Sequence, residues 1–158
     1  MRISARADYA IRVLLELAAD TARPITCEAV ASAQDIPARF IKAVLRDLRQ
    51  AGLVRSQRGC EGGYWLARAA GEITVRDAVA AVDGEFLSVR GEPRPALSYH
   101  GTAAGLAPFW SGIETGLDAL LRATTITDLL AGAAATGKPS SATRRPAGPL
   151  ATCPRSYP

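Results

Sequence analysis

Along residues 5–19, apolar side chains return at helical spacing, with Tyr9, Val13, Leu14 and Leu17 on one face. This predicts an amphipathic helix that Pro24 brings to an end. Thr26 is placed to cap a short helix over 27–33 whose inward residue is Val30. After a turn at 34–36, Pro37 suits the first position of a third helix over 37–50. There Phe40, Ile41, Val44, Leu45 and Leu48 make one apolar face. Arg39, Lys42, Arg46 and Arg49 recur at helical steps and make a basic stripe on the other. Gly52 is the expected C-terminal cap.

The period then changes. Residues 53–56 read as a strand, 58–63 as a glycine-rich turn and 63–67 as a returning strand, which makes a β-hairpin. A helix over 75–82 starts at or near Thr74 and closes at Gly84. Residues 88–105 carry Pro93, Pro95, Gly101 and Gly105 and are expected to be irregular. A long helix over 109–123 places Trp110, Ile113, Leu117, Leu120 and Leu121 on one side, and a shorter one over 127–130 follows. Residues 132–158 hold five of the ten prolines and read as a disordered tail.

The expected division is a first domain over 1–84 that carries the hairpin, a linker loop and C-terminal helices over 85–131, and the tail over 132–158. The fold class is mainly α with a small β-hairpin.

Composition narrows the function. The 158 residues suffice for one ordinary domain, and the 6% aromatic content calls for an aliphatic and alanine core. Cys27, Cys60 and Cys153 are scattered and odd in number, so they make neither a disulfide framework nor a four-cysteine metal site within one chain. The first residues meet charge too soon for a signal peptide, and the uncharged stretch 95–113 is broken by proline, glycine and histidine. The expectation is a soluble, cytoplasmic protein.

The net charge of +4 is mild, but residues 36–68 alone carry about +5 through Arg39, Lys42, Arg46, Arg49, Arg55, Arg58 and Arg68 against Asp47 and Glu61. Two short helices, the second amphipathic and basic, followed at once by a hairpin, give the order of a winged helix-turn-helix. The DNA major groove admits one helix, which needs an apolar back to dock on its own domain and a basic front. Arg58, at the hairpin tip, can enter the adjacent minor groove. A basic stripe is most often only a solvated face; the hairpin placed directly after it favours double-stranded DNA as the partner.

The residues also carry a resemblance. Met1-Arg2-Ile3-Ser4 with Tyr9-Ala10, then Ile36-Pro37-Ala38-Arg39-Phe40-Ile41, resembles the IscR/NsrR/CymR (Rrf-type) winged-helix transcription regulators. So do Leu48-Arg49-Gln50-Ala51-Gly52-Leu53-Val54, Arg58-Gly59 with Gly62-Gly63-Tyr64, Glu72-Ile73 before Asp77-Ala78-Val79, Asp83-Gly84, and the Trp110 helix ending in Thr127-Asp128-Leu129-Leu130. The resemblance spans about residues 1–131. It implies a homodimer that reads a pseudo-palindromic operator, mostly as a repressor, with Arg39, Lys42, Arg46, Arg49, Arg58, Gly62, Gly63 and Tyr64 at the DNA. Trp110, Ile113, Leu117, Leu120 and Leu121 would meet a second copy, an expectation their apolar face supports independently.

Well-known members hold an iron–sulfur cluster on three cysteines in the loop before the dimer helix. Here residues 88–105 contain none, and Asp8 and His100 lack the sulfur such a cluster depends on, so neither a cofactor nor a metal is expected. Asp8 reads as an ordinary helix charge and His100 as a solvated loop residue. The remaining candidate sensors are Cys60, whose oxidation beside Arg58 would disturb DNA contact but which is more often just a small residue tolerated in a turn, and a small-molecule or protein effector near Tyr99, His100, Phe109 and Trp110, aromatics that are more often core or dimer contacts. No catalytic constellation is present, and the 59–63 glycines lead into a strand instead of a phosphate-binding helix N-terminus, so the chain is not read as an enzyme. A winged-helix adaptor acting through protein contacts is the remaining alternative, and its DNA binding would be weak and barely salt-dependent.

Overall fold

Ser4 accepts a hydrogen bond from the Ala7 amide (3.0 Å) and opens α1 (Ala5–Ala19); Thr26 does the same for Ala29 (3.2 Å) and opens α2 (Cys27–Gln34). The computed structural model describes residues 3–59, 62–84, 88–89, 92–93 and 99–135. Asp20, not Pro24, ends α1: its backbone is extended and its carboxylate accepts from the Ala22 amide (3.1 Å), a local turn that competes with another helical bond. Pro37 caps α3 (Ala38–Gln50) from just outside, receiving the Phe40 amide on its carbonyl (2.9 Å). The other end of α3 closes on Gly52, whose φ of +71° suits glycine. The amides of Gly52 and Leu53 return to the carbonyls of Arg49 and Leu48 (both 3.0 Å), and buried Leu48 and Leu53 accompany them.

That closure turns the chain directly into β1 (Val54–Gln57), which pairs antiparallel with β2 (Gly63–Leu66) in the register Val54 to Leu66 and Gln57 to Gly63. On the other side of β2, Ile25 and Tyr64 exchange both backbone hydrogen bonds at 2.9 Å. The wing is therefore pinned to the segment before α2. Gly63 is buried at this crossing: a Cβ there would lie 2.9 Å from the Ile25 carbonyl oxygen and 3.0 Å from the Pro24 Cβ. Gly62 is enclosed by the backbone of Gln57, Arg58 and Gly59 within the turn.

A short 3-10 turn (Ala70–Glu72) leads into α4 (Val75–Asp83), which Thr74 and Asp77 open with reciprocal hydrogen bonds of 3.1 Å. The segment expected to be irregular contains a two-residue hairpin, β3 (Ser88–Val89) with β4 (Glu92–Pro93), and a further 3-10 turn at Gly101–Ala103. Helix α5 (Leu106–Ala123) starts three residues before position 109, because Pro108 in the first turn lacks only an amide that has no helical partner. Helix α6 (Ile126–Ala135), capped by Thr125 and Asp128, runs well past Leu130 and takes in 132–135 from the expected tail. Residues 136–158, with Cys153, lie outside the described residues, as do Cys60 and Glu61.

One aliphatic core joins these elements. Ala7, Ala10, Val13, Leu14 and Leu17 of α1 meet Ile41, Val44, Leu45 and Leu48 of α3, Val75, Ala78, Val79 and Val82 of α4, and Ile126 of α6. Ile126 is wholly buried and its amide bonds the Ile73 carbonyl (3.0 Å), while the Val75 amide bonds Thr124 (2.9 Å). The C-terminal helices are thus stitched to the domain that carries the wing.

Substituting Gly63 by alanine pushes a methyl group into backbone, so we expect a loss of about 1–3 kcal/mol in denaturant unfolding. Asp118 of α5 bonds Arg122 (2.5 Å) and Arg76 of α4 (2.7 Å), and these partners hold its carboxyl below the ordinary carboxylate range. Its contribution is complete above the unfolded value of about 3.9 and is lost as pH falls through the lower folded one. Protection of the α5 amides, taken as exchange relative to the unstructured chain, should therefore fall only below about pH 4, and in Asp118→Asn it should already be reduced at neutral pH and show no further carboxyl-linked loss.

Candidate nucleic-acid interface

The buried back of α3 fixes what its front presents. With Ile41, Val44, Leu45 and Leu48 in the core, Arg39, Lys42, Arg46 and Arg49 all lie exposed on the opposite side. Each has a light attachment that leaves its charge toward solvent. Lys42 lies 3.6 Å from Glu28 of α2, both well exposed, a pairing of the kind worth little in water and readily exchanged. Arg49 donates to the Ser56 hydroxyl (3.2 Å) and so links the end of α3 to the first wing strand. Arg39 stands over the Phe40 ring, 4.7 Å from its centroid. Arg46 donates to Asp47 through Nε (3.1 Å), with Nη2 3.0 Å from the same carboxylate oxygen.

Phe40 does not belong to the buried face. It is 41% exposed at the edge of α3, tilted against Tyr9 of α1 with ring centroids 6.2 Å apart. Asp47 lies on the same edge and is 8% exposed, although its residue type suggests a surface position. Its second partner is Arg6, at the start of α1. Neither Arg6 nor the burial of Asp47 is signalled by periodicity, since the pair spans 41 positions. Arg68, counted in the basic window, turns elsewhere and lies 3.9 Å from Asp77 of α4.

In the wing, Arg58 is exposed at the turn and Arg55 crosses the sheet to lie over its register partner Trp65, 5.5 Å from the ring centroid. Tyr64 is half-buried, and Gly63, beneath Ile25, does not share the open face with the arginines. On α5, Trp110, Ile113, Leu117 and Leu121 are half-covered and Leu120 is 61% exposed. Leu106 and Phe109, which the sequence reading leaves out of this face, are also exposed. No residue of the helix is fully buried.

A basic helix with a buried back, set beside a two-stranded wing, is the arrangement of a DNA-reading domain. The comparisons with known proteins decide which one. The family model described as "Rrf2: Iron-dependent Transcriptional regulator" matches residues 3–132. The chain belongs to the Rrf2 family. An HTH-type transcriptional regulator by name, Rv1287 of Mycobacterium tuberculosis, is 39% identical over 134 residues, covering 84% of this chain and 83% of its own. The crystal structure of oxidised Staphylococcus aureus CymR matches at 27% identity and a TM-score of 0.66 over 82% of this chain and 96% of that one. T. potens IscR matches at 24% identity and a TM-score of 0.71 over 87% and 92%. This Rrf2 chain is accordingly a DNA-binding transcriptional regulator with a winged helix, and not an enzyme.

The family description mentions iron, so the donor set matters. An iron–sulfur cluster depends on thiolates. In this Rrf2 chain residues 85–105 hold no cysteine, and Cys27 is buried on α2, its Sγ 3.7 Å from the Ala38 carbonyl. Burial pushes the Cys27 thiol up from its ordinary value, with Glu28 acting in the same sense, which disfavours the thiolate. Asp8 is engaged by Arg12 one helical turn on (2.9 Å), and His100 is exposed. Among the described residues no group of three or more histidine, cysteine or acidic side chains could hold a metal ion. The described residues do not fit a cluster. Among them, too, no helix is long and apolar enough to cross a membrane.

Proposed function

We propose that this chain is a cytoplasmic, dimeric repressor that occupies a pseudo-palindromic operator without an iron–sulfur cluster. The observation that carries the reading is the α3 front: four exposed basic side chains on one face of a helix whose back is buried. In this reading Arg39 and Lys42, nearest the helix N-terminus, meet base edges in the major groove, while Arg46 and Arg49 meet phosphates. Arg58 enters the neighbouring minor groove, and Gly62, Gly63 and Tyr64 shape the wing that carries it there. A second copy covers the α5 stripe. Support comes from Leu106, Phe109, Trp110, Ile113, Leu117 and Leu120, apolar positions along one helix with none of them fully buried in the monomer. Two α3 helices related by a twofold axis then read half-sites about 34 Å apart, or a multiple of that.

Genome-wide capture of DNA on the tagged protein should return a short inverted repeat. On that site, replacing Arg39 or Lys42 by alanine should relax preference at one base pair of each half-site by about 1–3 kcal/mol. Uniform loss over a library of operator variants would contradict base reading by these residues. Weak, salt-insensitive binding would favour an adaptor that works through protein contacts.

A further inference from the structure

Asp47 is the sole buried charged residue among those described, and it is held by two arginines from different helices. Arg46, its neighbour on α3, donates to Oδ1 through Nε, and its Nη2 lies within ion-pair distance of the same oxygen. Arg6, on the first turn of α1, donates to Oδ2. Both guanidinium-bearing side chains stay more than half exposed, at 62% and 53%. One carboxylate therefore takes one N–H donor from Arg46 and one from Arg6. A guanidinium carries five, so each keeps N–H groups directed to solvent. The cluster bears a net charge of +1, with two planar donor forks fixed side by side on the DNA-facing edge of α3.

We propose that Asp47 is a positioning residue that sets Arg6 and Arg46 as a two-armed clamp for one backbone phosphate of DNA. The proposal rests on the reading of α3 as the DNA-facing helix and extends that contact to α1, outside the helix-turn-helix. The chemistry suits it: a phosphodiester offers two unesterified oxygens, and arginine forks grip such groups through paired donors. Long arginine side chains lose rotamer freedom when they bind, and a shared buried anchor restricts them in advance. Tyr9 against Phe40 packs the same two helices together and keeps the arms at a constant spacing.

The sign of one substitution separates this role from simple charge. Asp47→Asn raises the net charge by one, so if Asp47 merely neutralises Arg46 the variant binds DNA more tightly. A clamp that depends on Asp47 predicts weaker binding instead. The experiment measures binding of the full-length protein to a mixed-sequence 30-base-pair duplex across a salt series, with thermal melting as a check on folding. Arg6→Gln, an exposed change, should lower the log K against log salt slope by about 0.9. It should do much less in the Asp47→Asn background, a coupling that loss of stability alone does not produce. An unchanged slope in Arg6→Gln, tighter binding by Asp47→Asn, or equal effects of Arg6→Gln in both backgrounds overturns the clamp while leaving DNA binding by α3 intact. Salt-insensitive binding by the unmodified protein overturns both.

Discussion

The burial of α1 is the constraint on which the other elements depend. Its face runs from small side chains, Ala7 and Ala10, to larger ones, Val13, Leu14 and Leu17, all withdrawn from solvent. The alanines allow close approach at one end, and the valine and leucines fill the layer at the other. Each larger side chain contributes on the order of 1.5–3 kcal/mol of burial. Helices α3, α4 and α6 all lean on this one helix. Because α3 must give its apolar back to α1, its arginines and lysine have only the outside left. The same contact aligns Arg6 with Asp47 and Tyr9 with Phe40, so the core and the front of the reading helix are set by one packing event.

The wing follows from the way α3 ends. The left-handed Gly52 and the returning amides of Gly52 and Leu53 reverse the chain at once, and β1 starts at Val54. Buried Gly63 lets the Pro24–Ile25 backbone lie against β2, and Arg49 to Ser56 joins helix to strand. The position of Arg58 relative to the α3 stripe is thus governed by short, local connections. At the other end, α5 is held to α4 through Arg76 and Asp118, and its exit is paired with residues 73–75 before α6 re-enters the core. The helix proposed to meet a second copy is mechanically continuous with the domain that meets DNA.

Much of this is legible in the amino-acid pattern where a period repeats. The bounds of α1, the two faces of α3 and the change of period at the hairpin follow from spacing alone. Ile25 does not, because a one-residue bridge to Tyr64 leaves no alternation to detect. Phe40 is assigned to the apolar face by residue type, yet it sits at the edge of that face, where Tyr9 and Arg39 cover it only in part. Asp47 is hidden for the complementary reason: a carboxylate is expected outside, and one of the two arginines that compensate its burial comes from another helix. The longer α5 and α6 escape because Pro108 and Gly132 look like helix breakers, whereas a first-turn proline breaks no bond and a flanking alanine run sustains the second. In the donor set, by contrast, the sequence is direct, since residues 85–105 contain no cysteine for folding to gather.

Two outward-facing α3 helices, one from each copy, are proposed to read DNA in the major groove. Dimethyl sulfate footprinting of the full-length protein on its captured genomic site tests this reading most directly, because methylation at guanine N7 reports the major groove base by base. Two protected guanine clusters separated by one helical turn or a multiple of it are expected, both lost when Arg39 and Lys42 are replaced together. A single protected cluster, or protection that survives that double replacement, would contradict it.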